Sequence, residues 1–323
     1  MIRLISSLLA VFLISSGFYW GFFAHKHINR LAVFILPPEM ISFYKVNIDY
    51  ISEAAVNPDK RRMAVVEEGP RHYIDVDHYG DSAWTALPRY WSDAVQKYGE
   101  DTLMAHGTLP WHVQTMCHRL RDAFLMKDPD RILRLSAELG HYVADAHVPL
   151  HTTRNYNGQF TGQEGIHGFW ESRLPELFAG QYNFFVGKAV YIADVQARVW
   201  EAVATANHQV DSVLTLEKGL TLKMENHKYT FEERGKQLNR VYTREFSRAY
   251  HDLLAHMVER QMRASVKMTG DLWYTAWIDA GQPDLKALID YKPTEEELRQ
   301  RREEVERWKK QMAGPRPHES AED

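Results

Sequence analysis

The stretch Pro129–Val148, PDRILRLSAELGHYVADAHV, decides the fold, because its apolar residues recur at the three- and four-residue spacing of an amphipathic α-helix. The apolar face of this predicted helix consists of Ile132, Leu135, Leu139, Tyr142 and Val143. His141 and Asp145 are four residues apart, so both side chains lie on one helix face, within an otherwise apolar segment. A buried carboxylate needs a partner or a metal ion. We therefore interpret this helix as the framework of a metal site.

A second pair with the same spacing follows downstream. His167 and Glu171 flank three residues that include two aromatic ones, and His151 lies between the two pairs, just after a Val-Pro-Leu sequence. A single His-x-x-x-carboxylate pair is often a surface salt bridge. Two such pairs with an intervening histidine inside 31 residues indicate metal ligands instead. Further candidate ligands occur earlier in the chain at His25, Asp59 and His72.

Composition excludes several classes of protein. The chain has 323 residues, of which 45% are hydrophobic and 25% charged, an ordinary globular composition. A formal charge of −4 argues against stable binding to duplex DNA, which normally requires a basic surface. The single cysteine, Cys117, excludes an intrachain disulfide framework and any cysteine-based zinc site. Zinc would therefore be held by nitrogen and oxygen atoms.

Residues 1–19 have the features of a secretory signal peptide. Arg3 precedes the apolar run Leu4–Ile14, and the small residues Ser15-Ser16-Gly17 follow it. The run is too short for a comfortable membrane span, so we expect no transmembrane segment in the mature chain. The sequence predicts export to a periplasm or to the exterior. An uncleaved amino-terminal anchor is the alternative.

Helical patterns account for the rest of the chain. One helix is predicted over Ala24–Val33, another from Pro38, and a long one over Leu109–Lys127. Helical periodicity continues from Val190 to Trp277, with breaks expected around Gly219 and Gly270, and no strand-turn-strand alternation of any length is apparent. The predicted fold class is all-α, with a single multi-helix domain over residues 20–292. Residues 293–323 are predicted to form a charged helix, opened by a capping pattern at Thr294 and Glu297, and a disordered tail.

These motifs resemble the superfamily that contains zinc-dependent phospholipases C and single-strand-specific zinc nucleases. The sequence Trp20-Gly21-Phe22-Phe23-Ala24-His25 is similar to the family's mature start, and His72-Tyr73-Ile74-Asp75 to its His-aromatic-x-Asp segment. The stretch from His141 to His151 resembles the most diagnostic motif of the family. Glu171 is the residue type found in the phospholipases, where the nucleases have aspartate. By motif, the resemblance covers residues 20–171.

The resemblance implies three zinc ions. The first would be held by Asp59, His72, His141 and Asp145. The second, partly open, would be held by His151, His167 and Glu171. The third would be held by the amino nitrogen and carbonyl oxygen of Trp20 together with His25, sharing Asp145 with the first. Asp49 and Glu53 are alternatives to Asp59, because the interval from Asp59 to His72 is slightly shorter than in the family.

The implied reaction is hydrolysis of a phosphodiester by zinc-activated hydroxide, without a side-chain nucleophile. The expected catalytic residues are Asp59, Arg62 and Asp145, with Tyr73, Asp75 and Arg62 contacting the substrate. Arg62 follows Asp59 by three residues and matches a nuclease arginine that would bind phosphate through two hydrogen bonds. His112, in the sequence Leu-Pro-Trp-His, is a further histidine to test as a site residue.

The substrate stays open between single-stranded nucleic acid and a phospholipid head group. Arg62 and the short interval from Trp20 to His25 favour a nuclease, whereas Glu171, the export signal and the lack of cysteines favour a phospholipase C. A non-catalytic exported zinc-binding protein is the alternative of a different class.

Overall fold

The computed structural model describes residues 21–311, apart from residues 63, 235 and 236. The predicted signal peptide, Trp20 and the predicted tail therefore lie outside the described residues. Helices contain 72% of the residues and strands 4%, which confirms the all-α prediction at the level of fold class. Among the described residues, the helices are either too short or too polar to cross a lipid bilayer.

Fifteen α-helices are described, and they vary widely in length. In chain order they are α1 (Gly21–Ala32), α2 (Pro38–Val46), α3 (Ile48–Ala54), α4 (Asn57–Arg62), α5 (Ala83–Ala86), α6 (Trp91–Tyr98), α7 (Glu100–His106), α8 (Leu109–Met126), α9 (Pro129–Asp145), α10 (Leu174–Phe178), α11 (Val195–Asn207), α12 (Val210–Met224), α13 (Arg244–Leu253), α14 (Met257–Asp279) and α15 (Glu295–Gln311). Short 3₁₀ helices occupy Val33–Ile35, Val66–His72, Val76–Tyr79, Pro149–Thr152, Ala179–Gln181, Glu225–His227 and Lys286–Leu288, and Gly168–Arg173 forms a π-helix.

The bounds of α9 have local causes. The Asp128 side chain caps the helix by accepting a hydrogen bond from the backbone N–H of Arg131 at 3.0 Å, and Pro129 occupies the first turn, where its missing N–H costs nothing. The helix ends at Asp145, before Pro149, which begins the next 3₁₀ turn. His141 and Asp145 thus fall in the last two turns of α9.

Helix α9 is the centre of the larger hydrophobic cluster and packs against α8, α1, α3 and α14. The Trp273 side chain in α14 is fully buried and donates from Nε1 to the carbonyl oxygen of Ser136, at 3.0 Å. Gly140 allows α1 to approach closely, because a Cβ at this position would lie 1.9 Å from Asn29 Oδ1. Asn29 in turn donates to the carbonyl oxygen of Ala137 at 2.9 Å. The helix carrying His25 is thereby fixed against the helix carrying Asp145.

The expectation that no strand pairing occurs was wrong. Strands β1 (Tyr229–Arg234) and β2 (Gln237–Tyr242) form an antiparallel hairpin within the segment predicted to be helical. Tertiary contacts favour the strands over any local helical preference: the Tyr242 ring stacks on Phe169 at a centroid distance of 3.6 Å, and Arg173 forms an ion pair with Glu232.

The predicted breaks at Gly219 and Gly270 were also wrong, since both glycines lie inside continuous helices, α12 and α14. Packing explains Gly270, because a Cβ there would lie 2.5 Å from Ile35 Cδ1. Nothing lies within 4 Å of a Cβ added at Gly219, and a single glycine costs a helix only about 1 kcal/mol. The actual interruptions occur between helices, at residues 208–209, 225–243 and 254–256.

The charged helix α15 begins with the predicted capping box. The Thr294 hydroxyl accepts from the backbone N–H of Glu297 at 3.2 Å, and the Glu297 carboxylate accepts from the backbone N–H of Thr294 at 2.6 Å. The helix packs against α4, with Trp308 4% exposed and its ring 5.9 Å from the Arg61 guanidinium. It therefore covers the segment that carries Asp59.

Candidate metal centre

The candidate ligands come from six separate segments of the chain. Helix α1 contributes His25, α4 contributes Asp59, and α9 contributes His141 and Asp145. The 3₁₀ turns contribute His72 and His151, and the π-helix region contributes His167 and Glu171. A π-helix within a chain of α-helices is rare and is often found at a functional site.

The first cluster is built around the Asp145 carboxylate. Its Oδ2 lies 3.0 Å from His72 Nδ1 and 3.2 Å from His141 Nε2, while Oδ1 lies 3.4 Å from His25 Nε2. Two overlapping groups of potential ligands result, and in each the ligand atoms lie within 4.8 Å of one another: His25, His141 and Asp145, and Asp59, His72 and His141. A single carboxylate therefore borders the histidines of two possible ion positions.

The second cluster is a triangle of equal sides. His151 Nε2, His167 Nε2 and Glu171 Oε2 lie 3.0 Å from one another. The side chains of His167 and Glu171 are 21% and 19% exposed, whereas those of His141 and Asp145 are 0% and 1% exposed. An external molecule would thus reach the second cluster before the first.

Backbone carbonyl groups fix the orientation of one histidine in each cluster. His141 Nδ1 donates to the carbonyl oxygen of Ala55 at 2.9 Å, and His151 Nδ1 donates to that of His72 at 2.5 Å. In a neutral imidazole, a proton on Nδ1 leaves a lone pair on Nε2. Both Nε2 lone pairs then point into their clusters, which is how a second hydrogen bond commonly prepares a metal-binding histidine.

These donor sets fit metal ions better than they fit hydrogen bonds among themselves. In the second cluster, two imidazole nitrogens and a carboxylate oxygen meet at 3.0 Å, and one shared proton can satisfy only one of the three pairs. Ligand atoms around a tetrahedral zinc ion lie about 3.3 Å apart, given bonds of 2.0–2.1 Å. The observed separations of 3.0–3.4 Å are close to this value. Histidine with carboxylate is also a donor set that zinc prefers.

Electrostatics in the centre favour ionised carboxylates and positive charge. Burial opposes ionisation of Asp145, but the neighbouring His141 and His151 rings hold the pKa of its carboxyl well below its usual range. Burial alone would lower the pKa of His151, yet the Asp145 and Glu171 carboxylates raise this pKa to about 9. The two carboxylates therefore favour positive charge at His151, whereas burial lowers the pKa of His25, His72 and His167.

Arg62 lies beside Asp59, one of the candidate ligands. Its Nε is 3.6 Å from Asp59 Oδ1, and its side chain is 21% exposed. Burial opposes ionisation of Asp59, but Arg62 and the nearby histidines hold the pKa of this carboxyl below its usual value. Burial is the main cause that lowers the pKa of His167 in the second cluster, and the Arg62 charge is a smaller one.

The other predicted carboxylates do not belong to the groups of potential ligands. Asp49 and Glu53 are exposed and form ion pairs with Arg30 and Lys26, so Asp59 is the carboxylate of this region that reaches the histidines. The Tyr73 hydroxyl donates to the carbonyl oxygen of Ala105 at 3.3 Å.

Asp75 is buried and accepts a hydrogen bond from His106 Nδ1 at 3.3 Å, whereas the ligand histidines His141 and His151 are oriented by backbone carbonyl groups. His112 also lies behind the centre, with its ring against Tyr142 at a centroid distance of 4.4 Å.

Glu68 is a buried residue of the centre that the sequence reasoning missed. Its Oε1 lies 3.8 Å from His72 Nε2, and it forms ion pairs with Arg61 and Arg71. The sequence carried a signal, because Glu68 precedes His72 by the same four-residue step as in the two pairs that were recognised. Arg61, part of a basic run, is the main partner of this carboxylate.

Comparisons with known proteins add no family assignment. No protein-family model matches the chain. A search of curated proteins likewise found no match.

Proposed function

We propose that this protein is an exported, zinc-dependent hydrolase of phosphoric esters, of the phospholipase C and single-strand nuclease type. The observation that carries the proposal is the position of the Asp145 carboxylate, which lies within 3.4 Å of His25, His72 and His141. Such a carboxylate is suited to bridge two cations. A surface salt bridge would need neither its burial nor three histidine neighbours.

The two clusters have different roles in this proposal. The first, formed by Asp59, His72, His141 and Asp145, offers four protein ligands, of which all except Asp59 are buried. The second, formed by His151, His167 and Glu171, offers three protein ligands and is partly exposed. Three protein ligands with an open position are typical of catalytic zinc sites, whereas structural sites are closed by four.

A third ion is part of the proposal. His25 and Asp145 would provide two of its ligands, and the amino nitrogen and carbonyl oxygen of Trp20 the others, if a signal peptase removes residues 1–19. Gly21 supports the approach of the chain start to the centre, because a Cβ at this position would lie 2.9 Å from Glu171 Oε1. A larger residue here would displace the Glu171 carboxylate, one of the candidate ligands.

Bound zinc would supply an activated water molecule and Lewis-acid stabilisation of the charge that develops on the phosphoryl oxygens. The chain itself would bind and orient the substrate. Arg62 would donate hydrogen bonds to a phosphate oxygen, since its side chain is partly exposed beside Asp59 and its charge acts on both clusters. The exposed edge at His167 and Glu171 would admit the phosphodiester.

The experiment is a hydrolysis assay on two substrates, single-stranded DNA and phosphatidylcholine, with zinc-loaded protein, chelated protein and chelated protein after zinc is restored. We expect hydrolysis of one substrate, loss on chelation and recovery with zinc. Binding of zinc without hydrolysis of either substrate would contradict the enzymatic proposal and favour a non-catalytic zinc-binding protein.

An arginine variant tests how the substrate is held. Arg62→Gln should lower kcat/KM by about 10- to 100-fold, because a hydrogen bond to a charged group contributes about 1.5–3 kcal/mol. Arg119→Gln is the matched control, since Arg119 is exposed on α8. Equal activity of the two variants would remove Arg62 from the substrate-binding role.

A further inference from the structure

A buried carboxylate lies directly beneath the first cluster. Glu68 is 0% exposed and accepts hydrogen bonds from Arg61 Nε at 2.9 Å, from Arg61 Nη2 at 3.1 Å and from Arg71 Nη1 at 2.6 Å. The Tyr142 hydroxyl donates to its Oε1. Burial opposes ionisation, but these partners, Arg61 above all, hold the pKa of the Glu68 carboxyl far below its usual range. Glu68 is therefore a fixed negative charge in the interior.

His72 faces this charge with the ring nitrogen that lies away from the cluster. Its Nδ1 is 3.0 Å from Asp145 Oδ2 and 3.0 Å from His141 Nε2, inside the cluster. Its Nε2 has no hydrogen-bond partner and lies 3.8 Å from Glu68 Oε1. This separation is beyond a hydrogen bond, so the interaction is electrostatic at this geometry. A negative charge beside Nε2 stabilises the proton on that atom and leaves the lone pair on Nδ1.

We propose that Glu68 is a positioning residue for the metal centre: it holds His72 as the tautomer protonated on Nε2, with Nδ1 directed at the ion. The inference rests on the zinc binding of the proposed function. Backbone carbonyl groups orient His141 and His151 in the same way, whereas His72 has a carboxylate in this role. Loss of such an outer partner typically weakens metal binding 10- to 100-fold.

The support of Glu68 extends to the carboxyl-terminal helix. Arg61 binds both Glu68 and Glu138. Its guanidinium donates two hydrogen bonds to the Glu138 carboxylate, of 2.9 and 3.0 Å. The buried Trp308 ring of α15 covers the Arg61 guanidinium at 5.9 Å. The Arg61 side chain is 16% exposed, and this partial burial strengthens its ion pair with Glu68.

Glu138 provides a matched control. It forms the same type of paired hydrogen bonds with Arg61 as Glu68 does, and the groups of potential ligands include neither carboxylate. Of the two, Glu68 is the one whose carboxylate lies beside His72, 3.8 Å from Nε2. Substituting either one by glutamine removes one charge from the Arg61 network. A purely structural role would make the two variants equivalent.

The experiment compares Glu68→Gln with Glu138→Gln in the full-length zinc-loaded protein. Zinc affinity is measured by competition with a chromophoric chelator, and the visible spectrum of each variant is recorded after cobalt replaces zinc. We expect Glu68→Gln to weaken the binding of one ion 10- to 100-fold and to change the cobalt spectrum, as a disturbed ligand would. Glu138→Gln should keep both the affinity and the spectrum of the wild type. Equal effects of the two variants would overturn the positioning role.

A second measurement does not depend on a variant that folds. Long-range proton–nitrogen NMR of the zinc-loaded wild type reports which nitrogen of His72 carries the proton. We expect the proton on Nε2, and a proton on Nδ1 would overturn the inference. A wild type that binds zinc as expected here but hydrolyses nothing contradicts the proposed function alone, so the two failures are distinguishable.

Discussion

Replacement of Asp145 by asparagine is the most informative perturbation, because this carboxylate borders two candidate ion positions. Its two oxygens lie 3.0 Å from His72, 3.2 Å from His141 and 3.4 Å from His25. Asparagine keeps the shape of the side chain and removes its charge, so both ions lose a charged ligand while the packing of α9 is preserved. The expected result is the loss of more than one zinc ion.

The magnitude follows from the ligand role. Removal of an outer partner already weakens metal binding 10- to 100-fold, so loss of a direct ligand should weaken each of the two ions by at least about 100-fold, or about 3 kcal/mol. With free zinc tenfold above the wild-type Kd, the occupancy of each ion falls from about 0.9 to about 0.1. The zinc content should therefore fall by about 1.6 ions in Asp145→Asn.

Elemental analysis after equilibrium dialysis at a fixed free zinc concentration measures this quantity. Glu171→Gln is the matched control, since Glu171 belongs to the second cluster with His151 and His167. By the same reasoning it should lose about 0.8 of an ion. A loss in Asp145→Asn no larger than the loss in Glu171→Gln would refute the bridging role of Asp145.

Three further results are expected. Gly140→Ala should lower the free energy of unfolding by about 1–3 kcal/mol in chemical denaturation, because the new Cβ would meet Asn29 Oδ1 at 1.9 Å. Gly219→Ala, where nothing lies near the new Cβ, should raise the free energy of unfolding by about 0.5–1 kcal/mol. Equal effects of the two variants would contradict the close approach of α1 and α9. Burial lowers the pKa of His112 to about 3, so its neutral form contributes stability that is lost as pH falls below the unfolded-state pKa of 6.5. Between pH 7 and pH 5, the free energy of unfolding of His112→Phe should therefore fall by about 2 kcal/mol less than that of the wild type. Parallel pH profiles of the two proteins would contradict this. Chelation should lower the free energy of unfolding by about 3–4 kcal/mol if free zinc was 100- to 1,000-fold above its Kd, and an unchanged melting temperature would argue against bound metal.

Local sequence signals predicted the long helices near the site well. Proline determines where a helix begins through short-range geometry, so the starts of α2 at Pro38 and of α9 at Pro129 could be read from the sequence. The end of α9 was predicted at Val148 but lies at Asp145, three residues earlier, because the chain turns before Pro149. The Tyr229–Tyr242 hairpin could not be predicted, because it depends on the contact of Tyr242 with Phe169 and on the ion pair of Glu232 with Arg173. Such contacts between distant segments leave no periodic pattern.

In the candidate site, too, local patterns could be predicted from the sequence and long-range contacts could not. The pairs His141/Asp145 and His167/Glu171 were visible because a four-residue step is a helical property. The burial of Arg61 was not visible, since its basic run is ordinary for a solvated surface, and its partner Glu138 lies 77 residues away. Long-range pairing of charges is decided by tertiary packing. It therefore became apparent only when the helices were assembled.

Anomalous diffraction at the zinc absorption edge, from crystals of protein purified with zinc, tests the central claim most directly. The account predicts one peak at bonding distance from His151 Nε2, His167 Nε2 and Glu171 Oε2, and at least one other at bonding distance from the Asp145 carboxylate. Crystals with zinc in the solution and no anomalous peak within bonding distance of these atoms would contradict the account.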